Sequence, residues 1–295
     1  MHHDLIAVSS EQVAALVAEQ APALAGQAVV AVEGAGTVNA IFRVGDSVTA
    51  RFPLRAADPQ QLSRRLHAEA AASAEFVSAS VVPGPVPLGI GAPGHGYPLP
   101  WAMQSWLPGD TAGPASCETS TPLALDLAEL VHSLRRCDTR GCRFTGGGRG
   151  GVLSDHDAWV EESIARSAGL LDAGALRALW ATFRVLPRED PDVMCHGDLI
   201  PSNLLVAGER LTGVLDTGGF QAADPALDLV AGWHLLADTS REHFRRAVGC
   251  SELQWRRGAA WAFQQAVGAY WYYRRSNPAM AAMALTTLGR LLSAS

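Results

Sequence analysis

Val193-Met-Cys-His-Gly-Asp-Leu-Ile-Pro-Ser-Asn-Leu-Leu-Val206 and, shortly after it, Leu211-Thr-Gly-Val-Leu-Asp-Thr-Gly-Gly219 decide how the rest of the chain is read. Asp198 and Asn203 stand five apart on a short loop, and Asp216 follows thirteen residues after the Asn, at the end of an apolar run. Phosphoryl transfer needs such a set. One carboxylate receives the acceptor hydroxyl's proton, while an amide and a second carboxylate hold magnesium. Three chemically different parts in this order and at these distances make the pattern specific.

Upstream of this stretch the chain alternates short β patterns with a helix. Residues 9–20 open with Ser9-Ser10-Glu-Gln and carry Val13, Leu16 and Val17 at helical spacing, a capped helix. Val29–Glu33, Ala40–Val44 and Ser47–Phe52 read as three antiparallel strands, with Gly45-Asp46 as a two-residue hairpin. Residues 58–79 form a long helix with Leu62, Leu66, Ala70 and Phe76 near one face. Pro83, Pro85 and Pro87 then break the pattern. Tyr97 to Gly109 reads as a strand running into a linker, turned by Pro108-Gly109. Downstream, helical spacing covers 121–137, 155–171 and 173–186, with Thr145–Gly151 as a flexible glycine-rich loop. After the central stretch, helices fit 224–238, 241–248, 252–275 and 278–293. No internal repeat is visible.

Composition narrows the class. With 295 residues, 48% hydrophobic and 18% charged, the chain has enough apolar material for a full core. A formal charge of −6 speaks against a nucleic-acid binder. No apolar run approaches the roughly 18 residues of a membrane span. Met1-His-His-Asp-Leu-Ile lacks the basic start and apolar stretch of a secretory signal. Five cysteines (Cys117, Cys137, Cys142, Cys195, Cys250) without Cys-x-x-Cys spacing point to reduced thiols in a cytoplasm rather than to disulfides or zinc. All 23 basic residues are arginine, which excludes a Walker-A loop with its obligatory lysine.

Written as His-Gly-Asp-x-x-x-x-Asn followed by Leu-Asp-x-Gly, the central pattern resembles the aminoglycoside phosphotransferase family, small-molecule relatives of the protein kinases. The resemblance spans most of the chain, from about residue 34 to the final helices, and its strong motifs lie within 193–229. It implies an α+β, bilobal, protein-kinase-like fold: an N-terminal nucleotide-binding lobe over 1–106 and a mainly helical lobe over 107–295, with nucleotide in the cleft between them. It implies Asp198 as catalytic base, Asn203 and Asp216 as Mg2+ ligands, and ATP or GTP as phosphoryl donor. His196 would orient the catalytic loop through a backbone hydrogen bond, Asp224 would cap a helix and Asp228 would brace the loop. Gly34-Ala-Gly36-Thr-Val-Asn39 stands where the family has its phosphate-covering loop, with Asn39 replacing the third glycine. Arg51 stands where the family usually has a lysine, and its partner would be Glu69, with Glu75 the alternative. Met103, Ser105 and Leu107 fall in the segment whose backbone would read the purine edge.

Members of the family phosphorylate hydroxyls of aminoglycosides, macrolides, other antibiotics and metabolites such as choline or homoserine. A polycationic acceptor calls for a carboxylate-lined pocket. From Arg241 to Ser295, however, two acids (Glu242, Glu252) face eight arginines, beside the aromatic residues Trp255, Trp261, Phe263, Tyr270, Trp271, Tyr272 and Tyr273. Acids do occur between Asp155 and Asp192. The reading therefore leans to a less cationic antibiotic or a glycosylated or nucleoside-like natural product. A small-metabolite kinase and a nucleotide-binding protein without transfer activity stand as alternatives. The expected partners are a nucleoside triphosphate and a small hydroxyl substrate, with no nucleic acid and no membrane, on a monomer or homodimer.

Overall fold

The computed structural model describes residues 5–32, 38–113, 117–146 and 148–294. The expected glycine loop, Gly34 and Gly36 included, lies outside the described residues. The chain forms two compact units. The first comprises residues up to Ser78, Pro83–Pro108 and Asp216–Gly218; the second comprises Ala79–Val82, Gly109–Leu215 and Gly219–Ser295.

The first unit begins with helix α1 (Ser10–Gln20), whose N-terminus is closed by a capping box. Ser9 Oγ accepts from Gln12 N at 3.2 Å and Gln12 Oε1 accepts from Ser9 N at 3.0 Å. Strands β1 (Val29–Ala31), β2 (Asn39–Val44) and β3 (Val48–Pro53) follow, then helix α2 (Pro59–Ala79), β4 (Pro87–Gly91) and β5 (Trp101–Ser105). The five strands form one antiparallel sheet in the order β1-β2-β3-β5-β4. The register Val44↔Val48 leaves a three-residue loop between β2 and β3 rather than the two residues expected. Gly45 takes φ +57°, and Asp46 turns back to bond Arg43 at 2.8 Å, which draws the third residue into the turn. Strand β4 was hidden by its prolines. It is an edge strand, where Pro87 removes no needed ladder donor.

Phe52 is the centre of this unit's core. It stacks on Trp101 at 4.9 Å and meets Tyr97 and Phe42 edge-on at 5.0 and 5.8 Å. Val13, Leu16 and Val17 of α1 and Leu62 and Leu66 of α2 complete the cluster. The buried Tyr97 hydroxyl donates to Pro53 O at 2.7 Å, and burial pushes its pKa up.

In the second unit, β6 (Asp110–Thr111), β8 (Leu204–Ala207) and β9 (Arg210–Val214) form a small antiparallel sheet, and β7 (Val193–Cys195) pairs with β10 (Gln221–Ala223). The described helices are α3 (Thr121–Arg135), α4 (Asp157–Arg166), α5 (Ala173–Phe183), α6 (Val230–Leu235), α7 (Asp238–Val248), α8 (Glu252–Tyr273) and α9 (Pro278–Ser293). The helix expected over 224–238 is shorter: a 3-10 turn at Leu227–Leu229 precedes the single short helix α6. Helix α8 is buried along much of its length. Trp261 and Phe263 have no exposed surface, Phe263 stacks on Trp180 at 5.7 Å, and Trp233 lies 5.1 Å from Trp255.

The glycine stretch 145–151 is not loose where it is described. Gly150, at φ +113°, accepts from Asp224 N at 3.0 Å, and a Cβ there would stand 2.9 Å from Ala223 Cβ. Glycine is needed for close approach as well as for the turn. The five cysteines are free thiols, and no helix among the described residues is long and apolar enough to cross a membrane.

Candidate active site

Strand β7 ends at Cys195, and the chain then enters the loop His196-Gly197-Asp198. The loop is fixed from beneath by Asp228, which is 2% exposed. Its two oxygens accept from His196 N at 2.9 Å and Gly197 N at 2.8 Å. Burial raises the Asp228 pKa, opposed by His196 and by these two N–H groups. The buried His196 side chain is held at both nitrogens. Its Nε2–H donates to Leu215 O at 2.9 Å, which leaves Nδ1 to accept from Asp198 N at 3.2 Å. Cys195 lies beside this loop, fully buried, and burial pushes its thiol far up, away from the reactive thiolate.

Asp198 accepts four hydrogen bonds from side chains, at its carboxylate and its carbonyl. Oδ1 accepts from Arg149 Nη2 at 2.7 Å and from Gln265 Nε2 at 2.9 Å. Asn203 Nδ2 donates to Asp198 O at 2.9 Å and, at 3.3 Å, to Oδ2. Asn203 sits at the end of the 3-10 turn Pro201–Asn203, and its carbonyl accepts from Leu215 N at 2.7 Å. With its amide nitrogen turned to Asp198, Asn203 keeps Oδ1 as an acceptor that no described residue occupies.

Behind Gln265 lies a second polar layer. Its Oε1 faces His234 Nε2 at 2.6 Å, and His234 Nδ1 is 2.9 Å from Thr287 Oγ1. Because a carboxylate only accepts, Gln265 must donate to Asp198 and present its oxygen to His234, so His234 carries its proton on Nε2. The imidazole is buried, and burial lowers its pKa to about 4.

Asp224 is the hub of a third set. Its Oδ2 accepts from Arg257 Nη2 at 2.6 Å, Arg257 Nε at 2.9 Å and Trp261 Nε1 at 2.8 Å. Side-chain exposure is 2% for Arg257 and 3% for Asp224. The expected helix cap is therefore corrected. Asp224 Oδ1 bonds Ala226 N in a local turn at 3.0 Å, and the main task of the carboxylate is to neutralise a buried guanidinium.

In the first unit, Arg51 on β3 bonds Asp216 Oδ1 at 3.0 Å, with Asp216 in the left-handed region at φ +57°. The side chains are 22% and 54% exposed. Glu69, the expected partner, pairs with Arg65 one helical turn earlier, at 3.3 Å. Arg65 shares α2 with Glu69 at i,i+4 spacing and wins that carboxylate, while Arg51 takes the acid of the Leu-Asp-x-Gly turn. Burial raises the Glu69 pKa, opposed by Arg65 and then Arg51. Thr217 Oγ1 donates to Ser73 Oγ at 3.0 Å, anchoring the turn to α2. Of the three residues expected to read a purine, Met103 is committed to the core, and its backbone pairs with both β3 and β4. Ser105 N donates to Val86 O, and Ser105 Oγ accepts from Val86 N. Leu107 follows β5, and no described residue bonds its backbone groups.

Arg149, His234, Arg257 and Gln265 carry no motif, and sequence reading passed over them. The one signal was a polar residue within an otherwise apolar run, His234 in Val230–Leu236 and Gln264-Gln265 in the middle of α8. Among the described residues, no cluster of three or more His, Cys, Asp or Glu could hold a metal ion.

A family model described as the phosphotransferase enzyme family (APH) matches residues 31–291. An aminoglycoside 3′-phosphotransferase of Streptomyces ribosidificus is 31% identical over 149 residues, covering 46% of this chain and 54% of that protein. Its counterpart from Streptomyces fradiae is 29% identical over 163 residues, covering 46% and 57%. The chain thus spans about half the length of the curated relatives it matches. Among solved structures, the GDP complex of aminoglycoside 2′-phosphotransferase-IIIa superposes with a TM-score of 0.72 at 20% identity, covering 97% of this chain and 99% of that one. Apo macrolide 2′-phosphotransferase MphH from Brachybacterium faecium gives 0.60 at 20% identity, covering 95% and 97%. At such identities the structural likeness is one of fold.

Proposed function

The chain belongs to the phosphotransferase enzyme family, and we propose that it transfers the γ-phosphoryl group of ATP or GTP to a hydroxyl of a small molecule of the antibiotic or natural-product type. One observation carries the reading. Asp198 sits on a loop pinned by Asp228 and His196, and among the described residues its Oδ2 is met only by a long amide contact from Asn203. That oxygen is the one open to an acceptor hydroxyl. The acceptor oxygen attacks the γ-phosphorus, its proton passes to Asp198 Oδ2, the bond from phosphorus to the β–γ bridging oxygen breaks, and nucleoside diphosphate leaves. The transition state is loose, so holding the hydroxyl in line counts for more than the strength of the base.

Magnesium suits the donor set. Asn203 keeps its amide oxygen free because its nitrogen is spent on Asp198, and Asp216 has one oxygen that Arg51 does not occupy. Both are hard oxygen ligands of the kind that leaves the remaining positions to phosphate and water. When bound, the ion neutralises charge on the phosphate oxygens. Arg51 stands in for the family's lysine as the phosphate-binding cation; its guanidinium is permanently charged and grips oxygens as a fork. GDP-bound and ADP-bound relatives with this fold support a purine nucleotide as donor.

Asp198→Asn is the test. A positioned base contributes about 10²–10⁴ in rate. The variant should lose that factor in kcat and keep the nucleotide KM within about twofold, measured by diphosphate release. Wild-type turnover in the variant would remove Asp198 from the chemistry. Nucleotide binding without consumption, across a broad panel of acceptors, would favour a binding protein over a transferase.

A further inference from the structure

Resting on the phosphotransferase reading, we propose that the acceptor bears an oxyanion, a carboxylate or a phosphate, and that Arg149 receives it as the neighbouring hydroxyl reaches Asp198. Asp198 Oδ1 already carries the Arg149 guanidinium at 2.7 Å, so an acceptor that reaches Asp198 also comes within reach of the guanidinium's remaining donors. The pair is half-buried, with side-chain exposures of 31% for Arg149 and 34% for Asp198, so solvent reaches it from one side. Among the described residues Arg149 makes this one hydrogen bond, and its buried Nε has no partner. A guanidinium with five donors and one bond has the capacity and the planar fork to take a second oxyanion bidentately.

The surroundings of the acceptor segment point the same way. A polycationic acceptor needs free carboxylates, and four of the eight acids between residues 155 and 192 are already paired. Asp157 holds Arg184, Glu161 holds Arg177 at 2.6 Å, Glu162 holds Arg166 at 2.8 Å and Asp192 holds Arg188. Helix α8, which supplies Gln265 to Asp198, ends in a hollow of about 330 Å³ lined by Arg166, Leu170, Trp271, Tyr272, Arg274 and Arg275. The lining holds three arginines and no acid. The Arg166 guanidinium lies 4.5 Å from the Trp271 ring centroid, and no carboxylate among the described residues pairs with Arg274 or Arg275. Gln265 and Tyr272 lie seven residues apart on one face of α8, about 10 Å along its axis, and Arg274 and Arg275 follow just beyond its last residue, Tyr273. Of the three arginines in the hollow only Arg166 has a carboxylate partner among the described residues, Glu162, so this end of α8 disfavours an ammonium-rich ligand and favours an acid.

The experiment uses the full chain with magnesium and ATP or GTP, and three hydroxylated probes: uridine 5′-monophosphate, gluconate and kanamycin. Diphosphate release and product mass are read. The expected result is a product from at least one of the two anions, the first marking a phosphate and the second a carboxylate as the recognised group. Arg149→Ala should lower kcat/KM for that anion about tenfold or more, a loss of about 1.4 kcal/mol, with the nucleotide KM unchanged; Arg149→Lys should recover part of it. Arg149→Gln serves if the alanine variant fails to fold. Kanamycin used better than both anions would overturn the proposal, as would an Arg149 variant that leaves the anion's kcat/KM unchanged or speeds every acceptor alike. If no probe gives product, magnesium-dependent nucleotide hydrolysis that disappears in Asp198→Asn preserves the phosphotransferase reading and removes the anion assignment. If nucleotide is not consumed at all, the phosphotransferase reading fails. The acceptor assignment falls with it, because there is an acceptor only where a group is transferred.

Discussion

His234 shows how one buried side chain can set the stance of another. It carries no charge, touches no solvent and fixes Gln265 so that the amide points its nitrogen at Asp198. With its pKa lowered from 6.5 to about 4 by burial, the native imidazole refuses a proton that the unfolded chain accepts. The stability held in the neutral form is complete above pH 6.5 and declines as the pH falls from there towards 4. The measurement is a histidine NMR titration: His234 should stay neutral, protonated on Nε2, down to about pH 5, and a midpoint near 6.5 would contradict the arrangement. None of this was legible in the sequence. Asp198, Asn203 and Asp216 announce themselves because their spacing is local. Gln265 and Arg149 lie 67 and 49 residues from Asp198 and meet it only through packing, and His234 acts one layer further out, through Gln265.

Helix α8 carries both the buried ionic hub and the amide that reaches Asp198. Its Gly258 is a point of close approach: a Cβ there would stand 2.7 Å from Leu229 Cβ and 3.3 Å from Ala226 O. Gly258→Ala gains about 0.5–1 kcal/mol of helix propensity, but overpacking against a rigid turn costs about 1–3 kcal/mol. The net should be a loss of stability, seen as a lower urea midpoint; a midpoint equal to or above wild type would show that the turn at Leu227–Leu229 gives way. The helices were the readable part of the fold. Runs such as Thr121–Arg135 and Pro278–Ser293 repeat their apolar positions over several turns, and capping residues at Ser9, Ser120 and Ser251 mark their starts. The short strands were not readable. Val193–Cys195 and Gln221–Ala223 span three residues each, too few for alternation to show, and they exist because each pairs with the other.

For the molecule as a whole, the proposed nucleotide gives a test that needs no acceptor. A ligand that binds only the native state stabilises it by about 2.7 kcal/mol at a hundredfold excess over Kd. The melting midpoint should therefore climb with added ATP or GTP in the presence of magnesium and flatten in Arg51→Ala; a midpoint indifferent to both nucleotides would speak against a nucleotide site. The same arginine bears on chemical proteomics. Reagents that tag purine sites by acylating or sulfonylating a nearby primary amine depend on a lysine side chain, and this chain has none. A guanidinium that stays protonated at any working pH is no nucleophile. Surveys built on that labelling chemistry would pass this protein over, and a covalent inhibitor for it needs a warhead aimed at something other than a lysine amine.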